Sequence, residues 1–172
     1  MQTETKNEIT GDIDGIDNDN NGYVDDVIGY DFINEMLRNN PDKIGDIRDV
    51  DCDPFDEHGH GTQVASVISS VAPDAKIMVV RTHNSLGQSE CHAIANGIIY
   101  AVLNGANVIN LSSGETDPSP MFHSAIKFAN AMGCVIVASA GNRGDTRVHY
   151  PSDHKEVISV GGVNEDLRRV FN

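Results

Sequence analysis

The chain has 172 residues, 39% of them hydrophobic and 22% charged, which suffices for one domain with a real core and is short for two. Its formal net charge of -14 argues against a face that neutralises nucleic-acid phosphates and against a polybasic membrane patch. The longest apolar runs, such as Ile77 to Val80 and Cys134 to Ala138, fall far below the roughly 20 residues of a membrane helix.

The charge is concentrated at the start. Residues 1–58 carry 17 acids and 4 bases, whereas residues 59–172 carry 9 and 8. An acidic head of this kind is disordered, solvating or cation-binding. Within it, Asp17-Asn-Asp19-Asn-Asn21-Gly22-Tyr23-Val24-Asp25 sets oxygen-bearing side chains at alternate residues, with a glycine where a calcium loop turns sharply. The place of the bidentate glutamate is taken by Ile28, which excludes a standard EF-hand. An abbreviated calcium loop is expected, with Asp17, Asp19, Asn21 and Asp25 as ligands and Asp26, Asp14 or Asp12 completing it. A solvated Asp/Asn turn is the plainer alternative.

From residue 61 onward, helical and strand periodicities alternate. Val64, Ala65, Val67, Ile68 and Val71 share one helical face, and Lys76 to Val80 reads as a short buried strand. Ile94, Ile98, Ala101 and Val102 predict a second helix closing near Gly105, followed by a strand over Val108 to Leu111. Pro118-Ser-Pro120 opens a third helix with Phe122, Ala125, Phe128, Ala129 and Met132 on one side. Strands over Cys134 to Ala138 and Val157 to Val160 complete the series. Helices alternating with short apolar strands predict an α/β fold, a parallel sheet with helices on both faces. Function in such sheets collects beyond the carboxyl ends of strands, here Ser112-Ser113-Gly114 and Ser139-Ala-Gly-Asn142.

Cys52, Cys91 and Cys134 form neither a disulfide framework nor a close-spaced metal pattern, and Cys134 is expected as a buried thiol. The segment Asp56-Glu-His-Gly-His-Gly-Thr-Gln-Val-Ala65 puts a histidine at a helix start, among glycines that permit close backbone approach. The positive end of the helix dipole favours neutral imidazole there, the form that acts as a base; a simple polar cap is the bland reading. Asp56, His58 and His60 together fall short of a zinc ligand set, and Arg143-Gly-Asp145 is too short a match to weigh.

Four segments in order carry a resemblance to the subtilisin-like serine peptidases. His60-Gly-Thr-Gln-Val-Ala65 resembles their histidine box, and Val108-Ile-Asn-Leu-Ser-Ser-Gly114 their substrate-binding strand. Val135-Ile-Val-Ala-Ser-Ala-Gly-Asn142 resembles the oxyanion-asparagine segment, and Tyr150-Pro-Ser152 with Val157-Ile-Ser-Val-Gly161 the stretch that follows. The resemblance runs from about Glu8 to the C-terminus and implies a three-layer, subtilisin-like fold.

Carried over residue by residue, it makes His60 the general base and gives His58 only a loop position. Asn142 would donate its side-chain amide to the oxyanion; standing alone it would be a turn residue after Gly141. Ser112, Ser113 and Gly114 would pair with an extended substrate backbone, and Ala138, Ser139 and Ala140 would line the pocket for the residue before the cut. Residues 8–32 would be an insertion following the family's aspartate motif, and residues 56–172 the span from histidine box to the last strand.

Neither the family's Asp-Ser/Thr-Gly motif nor its Gly-Thr-Ser-Met-Ala-like serine segment has a good copy among residues 1–172. The expectation is therefore a partial subtilisin-like catalytic domain, incomplete at both ends and inactive alone, from a secreted endopeptidase acting on polypeptides. Calcium is its expected cofactor, with no organic cofactor, nucleic acid or membrane segment. The alternatives are a calcium-binding pseudoprotease module used for interaction and a doubly wound nucleotide-binding domain. The second of these requires a glycine-rich phosphate loop, which the chain lacks.

Overall fold

In the computed structural model, which describes residues 13–34, 50–142 and 148–168, the chain divides into two units, one up to Gly105 and one from Ala106. The start of the acidic segment (Glu8 to Asp12), the Arg143-Gly-Asp145 tripeptide and Arg169 to Asn172 lie outside the described residues.

The first unit contains a strand that periodicity does not reveal, β1 (Gly29–Asp31), paired in parallel with β2 (Val79–Arg81). Gly29 is required by this pairing: a Cβ there would collide with the carbonyl oxygen of Val79 and lie 2.6 Å from its carbon. The strand expected over Lys76 to Val80 is thus shifted toward its C-terminal end. Only Val79 and Val80 of that run find partners in β1, and Ile77 is left exposed. Helix α1 (His60–Val71) keeps its apolar stripe half-buried at Val64, Ala65 and Ile68, while Val67 and Val71 are exposed.

Helix α2 (Cys91–Leu103) is the best-buried element of this unit, with Ala93, Ile94, Ile98, Tyr100 and Ala101 inside. It approaches β2 closely at Gly97, where a Cβ would lie 2.8 Å from both Val80 Cγ1 and Thr82 Cγ2. It ends as expected near Gly105, which takes a left-handed φ of 79° and returns its N–H to Val102 O at 3.1 Å. Tyr100 also anchors the acidic segment. Its ring lies edge-on to Tyr23 at 4.7 Å between centroids, and Tyr30 and Phe32 complete an aromatic cluster around the pair.

The second unit is a three-stranded parallel sheet in the order β3 (Val108–Leu111), β4 (Val135–Ser139), β5 (Val157–Val160). Helix α3 (Pro120–Ala131) forms the crossover between β3 and β4. Ser119 caps it by accepting the Phe122 N–H at 3.3 Å, and Pro120 occupies its first turn, where no N–H is needed. Phe122, Ala125, Ile126 and Ala129 follow the 3.6-residue period and are buried, whereas Met132 falls beyond the helix and is exposed. In the sheet, Ile109, Ile136 and Ala138 point inward, and Val108, Val135 and Ile158 are exposed. Cys134 is the buried thiol anticipated, its ionisation pushed up by burial; all three cysteines are free.

Candidate active site

The histidine segment is built around Asp56. Gly59, at φ 87°, has no side chain with which to cap α1, and Asp56 supplies the acceptors instead. Its Oδ1 accepts the N–H groups of His58 (3.1 Å) and Gly59 (2.8 Å), and its Oδ2 accepts the Thr62 N–H and hydroxyl, each at 2.7 Å. Partial burial works against ionisation, but the donors from Thr62, Gly59 and His58 outweigh it and bring the carboxyl down to about 2. The sequence shows Asp56 only as a neighbour of histidines; the structure makes it the brace of the turn that presents His60.

His60 is exposed at the first position of α1, with the His58 ring 6.3 Å away between centroids. His83, just beyond β2, has its Nδ1 3.0 Å from Thr82 Oγ1, and burial with the nearby His60 and His58 disfavours its charged form. A buried ion pair holds the loop before His60. Arg81 Nη1 donates to Asp31 Oδ2 at 2.5 Å and Arg81 Nη2 to Glu57 Oε2 at 3.3 Å. Asp31 also accepts the Ile33 N–H through Oδ1, and its own N–H goes to Asp51 O at 2.8 Å. Sequence reasoning passed over Asp31 and Arg81, because neither stands out by spacing; an arginine ending an apolar run was the available signal.

In the second unit, the expected substrate residues gather at the carboxyl ends of β3 and β4. Ser112 and Ser113 are half-buried and Gly114 exposed directly after β3, with Ser112 Oγ accepting from Asn110 Nδ2 at 2.9 Å. Ala138, Ser139 and Ala140 run along and just beyond β4, which lies beside β3 through the pair Leu111↔Ala138. Asn142 is exposed after Gly141, whose φ is 84°. Glu115 and Tyr150 then exchange two backbone hydrogen bonds of 2.8 Å, which brings the 149–153 turn alongside Gly114.

The acidic loop is ordered by its own carboxylates. Asp17 accepts the N–H groups of Asn21 (3.1 Å) and Gly22 (2.8 Å), and Asp19 accepts that of Asn21 (3.1 Å). Asp25, one of the four expected ligands, is buried and turned toward the N–H groups of Asp14 and Gly15 at 2.9–3.2 Å. Asp26 is buried instead beside α2, where its Oδ2 accepts from Tyr100 Oη (2.7 Å) and Asn21 Nδ2 (3.0 Å), and its Oδ1 has no partner among the described residues. Among the described residues, no three Asp, Glu, His or Cys side chains stand close enough together to enclose a metal ion as placed.

Parallel strands with helical crossovers, a helix opening on His60, and small residues collected beyond β3 and β4 define an α/β domain of the subtilisin-like kind. The family model of the subtilases, peptidase family S8, matches residues 14–171, and the chain belongs to that family. It is 35% identical over 147 residues to the thermophilic serine proteinase of Bacillus sp. (strain AK1), an alignment covering 80% of this chain and 37% of that protein. To thermitase of Thermoactinomyces vulgaris it is 35% identical over 144 residues, covering 74% of this chain and 52% of the relative. The solved structure of Sphericase superposes with a TM-score of 0.52 at 27% identity, over 54% of this chain and 32% of that one. The chain thus spans about two-fifths and about half the length of the two curated relatives. Among the described residues, no helix is long and apolar enough to cross a membrane.

Proposed function

We propose that these residues belong to a serine endopeptidase that cleaves extended polypeptides through an acyl-enzyme. His60 takes the proton from a serine hydroxyl as it attacks the peptide carbonyl and returns it to the leaving amine. Asn142 donates its side-chain amide to the oxyanion of the tetrahedral intermediate. Ser112, Ser113 and Gly114 hydrogen-bond the substrate backbone as an added strand, and Ala138, Ser139 and Ala140 wall the pocket for the residue before the cut. The observation that supports this reading is the family match over residues 14–171, a span that contains both His60 and Asn142. The exposure of His60 and Asn142 suits groups that must meet a substrate. Residues 1–172 contain no counterpart of the family's aspartate motif or serine segment, so the same reading makes them inactive alone. The test is peptide hydrolysis by the protein with its flanking sequence: His60→Ala should abolish turnover, and substantial residual turnover removes His60 from its role.

The reading includes a structural calcium ion at the acidic loop and an extracellular setting, to which weak calcium loops and an acidic surface are suited. The orphaned Asp26 Oδ1, buried beside α2, supports the calcium site, because a buried carboxylate oxygen without a donor is costly unless a cation meets it. Asn21 Nδ2 faces three acceptors, Asn104 Oδ1 at 2.9 Å, Asp26 Oδ2 at 3.0 Å and Asp19 Oδ2 at 3.3 Å, but an amide has only two protons to offer them. Burial, and the charges of Asp26 and Asp17, raise the Asp19 carboxyl against the pull of the Asn21 N–H, a strain that bound calcium relieves. Asp17, Asp19, Asn21 and Asp26 are the side chains proposed to draw together around the ion, which they do not enclose as placed, with Asp25 bracing the loop through the Asp14 and Gly15 N–H groups.

A further inference from the structure

We infer that the imidazole of His149 fills the pocket for the residue before the cut and restricts that residue to a small side chain, alanine or serine. The inference rests on the reading of Ser112–Gly114 and Ala138–Ala140 as the walls of that pocket, and adds to it the residue that decides what enters.

The observation is a ring lodged between two glycines. Gly114 ends the segment after β3, and Gly141 follows the segment after β4. A Cβ on Gly114 would collide with Cε1 and Nδ1 of His149, and one on Gly141 would lie 2.6 Å from Cδ2 and 3.1 Å from Cγ. His149 Nε2 lies 2.9 Å from either Cβ position. Both sides of the cleft are thus in contact with the same five-membered ring, and both are stripped of side chains where it sits.

The backbone that carries the ring is held firmly. The carbonyl of His149 accepts the Asp153 N–H at 3.0 Å and the Ser152 hydroxyl at 2.8 Å. The next residue, Tyr150, is locked to Glu115 by the two 2.8 Å bonds already described. The Cβ of His149 therefore has little freedom, and the ring can leave the cleft only by rotating its side chain away from both glycines. Such a rotation forfeits its packing.

Among the described residues no hydrogen bond of the ring accounts for the placement, and His149 Nδ1 is buried without a partner there. An unmet polar atom of this kind disfavours the conformation unless something else requires it or a ligand satisfies it. A serine hydroxyl before the cut is small enough to enter beside the ring and can bond to it; an alanine methyl simply fits. A benzyl or isobutyl group competes with the imidazole for the same space.

The test uses the isotope-labelled 172-residue chain and the peptides succinyl-Ala-Ala-Pro-X, with X as Ala, Ser, Phe or Leu, followed by NMR. Peptides ending in Ala or Ser should shift the Gly114 and Gly141 amides and the His149 ring, and those ending in Phe or Leu should bind at least about tenfold more weakly. His149→Gly should reverse the order, His149→Ala should do so in part, and His149→Phe, which refills the cleft, should keep the exclusion. Equal binding of all four peptides by the unmodified chain overturns the inference, as does an order unchanged in His149→Gly and His149→Ala. Absence of any shift at Gly114 and Gly141 overturns it too. Binding in the predicted order, without hydrolysis by the protein with its flanking sequence, leaves the specificity assignment standing and defeats the peptidase reading instead.

Discussion

Asp56 and Thr62 are joined twice: one carboxylate oxygen, Oδ2, accepts both the backbone N–H and the hydroxyl of Thr62 at 2.7 Å. With Gly59 at the N-cap position offering no side chain, this pair satisfies donors of the first turn of α1 and sets where His60 stands.

Replacing Asp56 by alanine should lower stability by about 1 kcal/mol, the usual cost of a lost cap. The pH dependence follows from the sign of its shift. The folded-state carboxyl lies at about 2, below its ordinary value of 3.8, so its contribution is complete above that value and disappears as pH falls toward 2. Melting curves of the wild type and Asp56→Asn should differ at neutral pH and converge on acidification. A difference that persists unchanged at about pH 2 would contradict this account.

Arg81 is an ion-pair partner of the buried Asp31. Both side chains are almost wholly inside, so Arg81→Met takes a counterion from the buried Asp31 carboxylate and should lower stability, by up to about 3–5 kcal/mol. The double variant Arg81→Met/Asp31→Asn should recover a large part of that loss, because it removes the charge as well as its counterion. Denaturant unfolding of the two variants compares the costs, and equal stability of single and double variants would rule out the ion-pair explanation.

Calcium at the acidic loop predicts a melting temperature that a chelator lowers. With free calcium about a hundredfold above the dissociation constant, the linkage contributes about 2.7 kcal/mol. Asp26→Asn and Asp19→Ala should each erase the chelator's effect, whereas Asp25→Asn should lower stability with or without calcium, since Asp25 serves the backbone of Asp14 and Gly15. A melt indifferent to chelation sinks the assignment.

Gly97→Ala should destabilise the first unit, although alanine is the better helix former by about 1 kcal/mol. The added methyl would lie 2.8 Å from Val80 Cγ1 and Thr82 Cγ2, both on β-branched side chains that rotate with difficulty. Overpacking of this kind costs about 1–3 kcal/mol. A raised melting temperature in Gly97→Ala would show that the α2–β2 contact yields.

The helices and the second sheet could be read from the sequence because their signals are local. In α3, Phe122, Ala125, Ile126 and Ala129 recur at the helical period, and Ser119-Pro120 marks the start. The strands Val108–Leu111 and Val157–Val160 have the bounds that periodicity predicts. β1 had no such signal. Three residues cannot show a period, and Gly29–Asp31 becomes a strand only because Val79–Arg81 lies beside it. The same reason displaces β2 from its apolar run, since pairing rather than hydropathy set its limits.

The candidate site divides along the same line. Short motifs supply His60, Asn142, Ser112–Gly114 and Ala138–Ala140 as candidates, because a motif is contiguous in the chain. The residues that brace or fill the site are not contiguous with it. Asp56 reaches six residues forward to Thr62, Asp31 meets Arg81 across 50 residues, and His149 lies between glycines from two other segments.

By itself the sequence determined the α/β class, the helices α1 to α3, the acidic character of the head and the residue types proposed for the chemistry. Each of these depends on neighbours a few positions away. Only the tertiary structure decided that Asp25 braces the acidic loop while Asp26 keeps an unmet oxygen, that an ion pair steadies the loop before His60, and that an imidazole occupies the cleft between Gly114 and Gly141. Which oxygens are buried, which charges are paired and which spaces are filled depend on chain segments that meet only on folding, and no spacing rule along the sequence records that meeting.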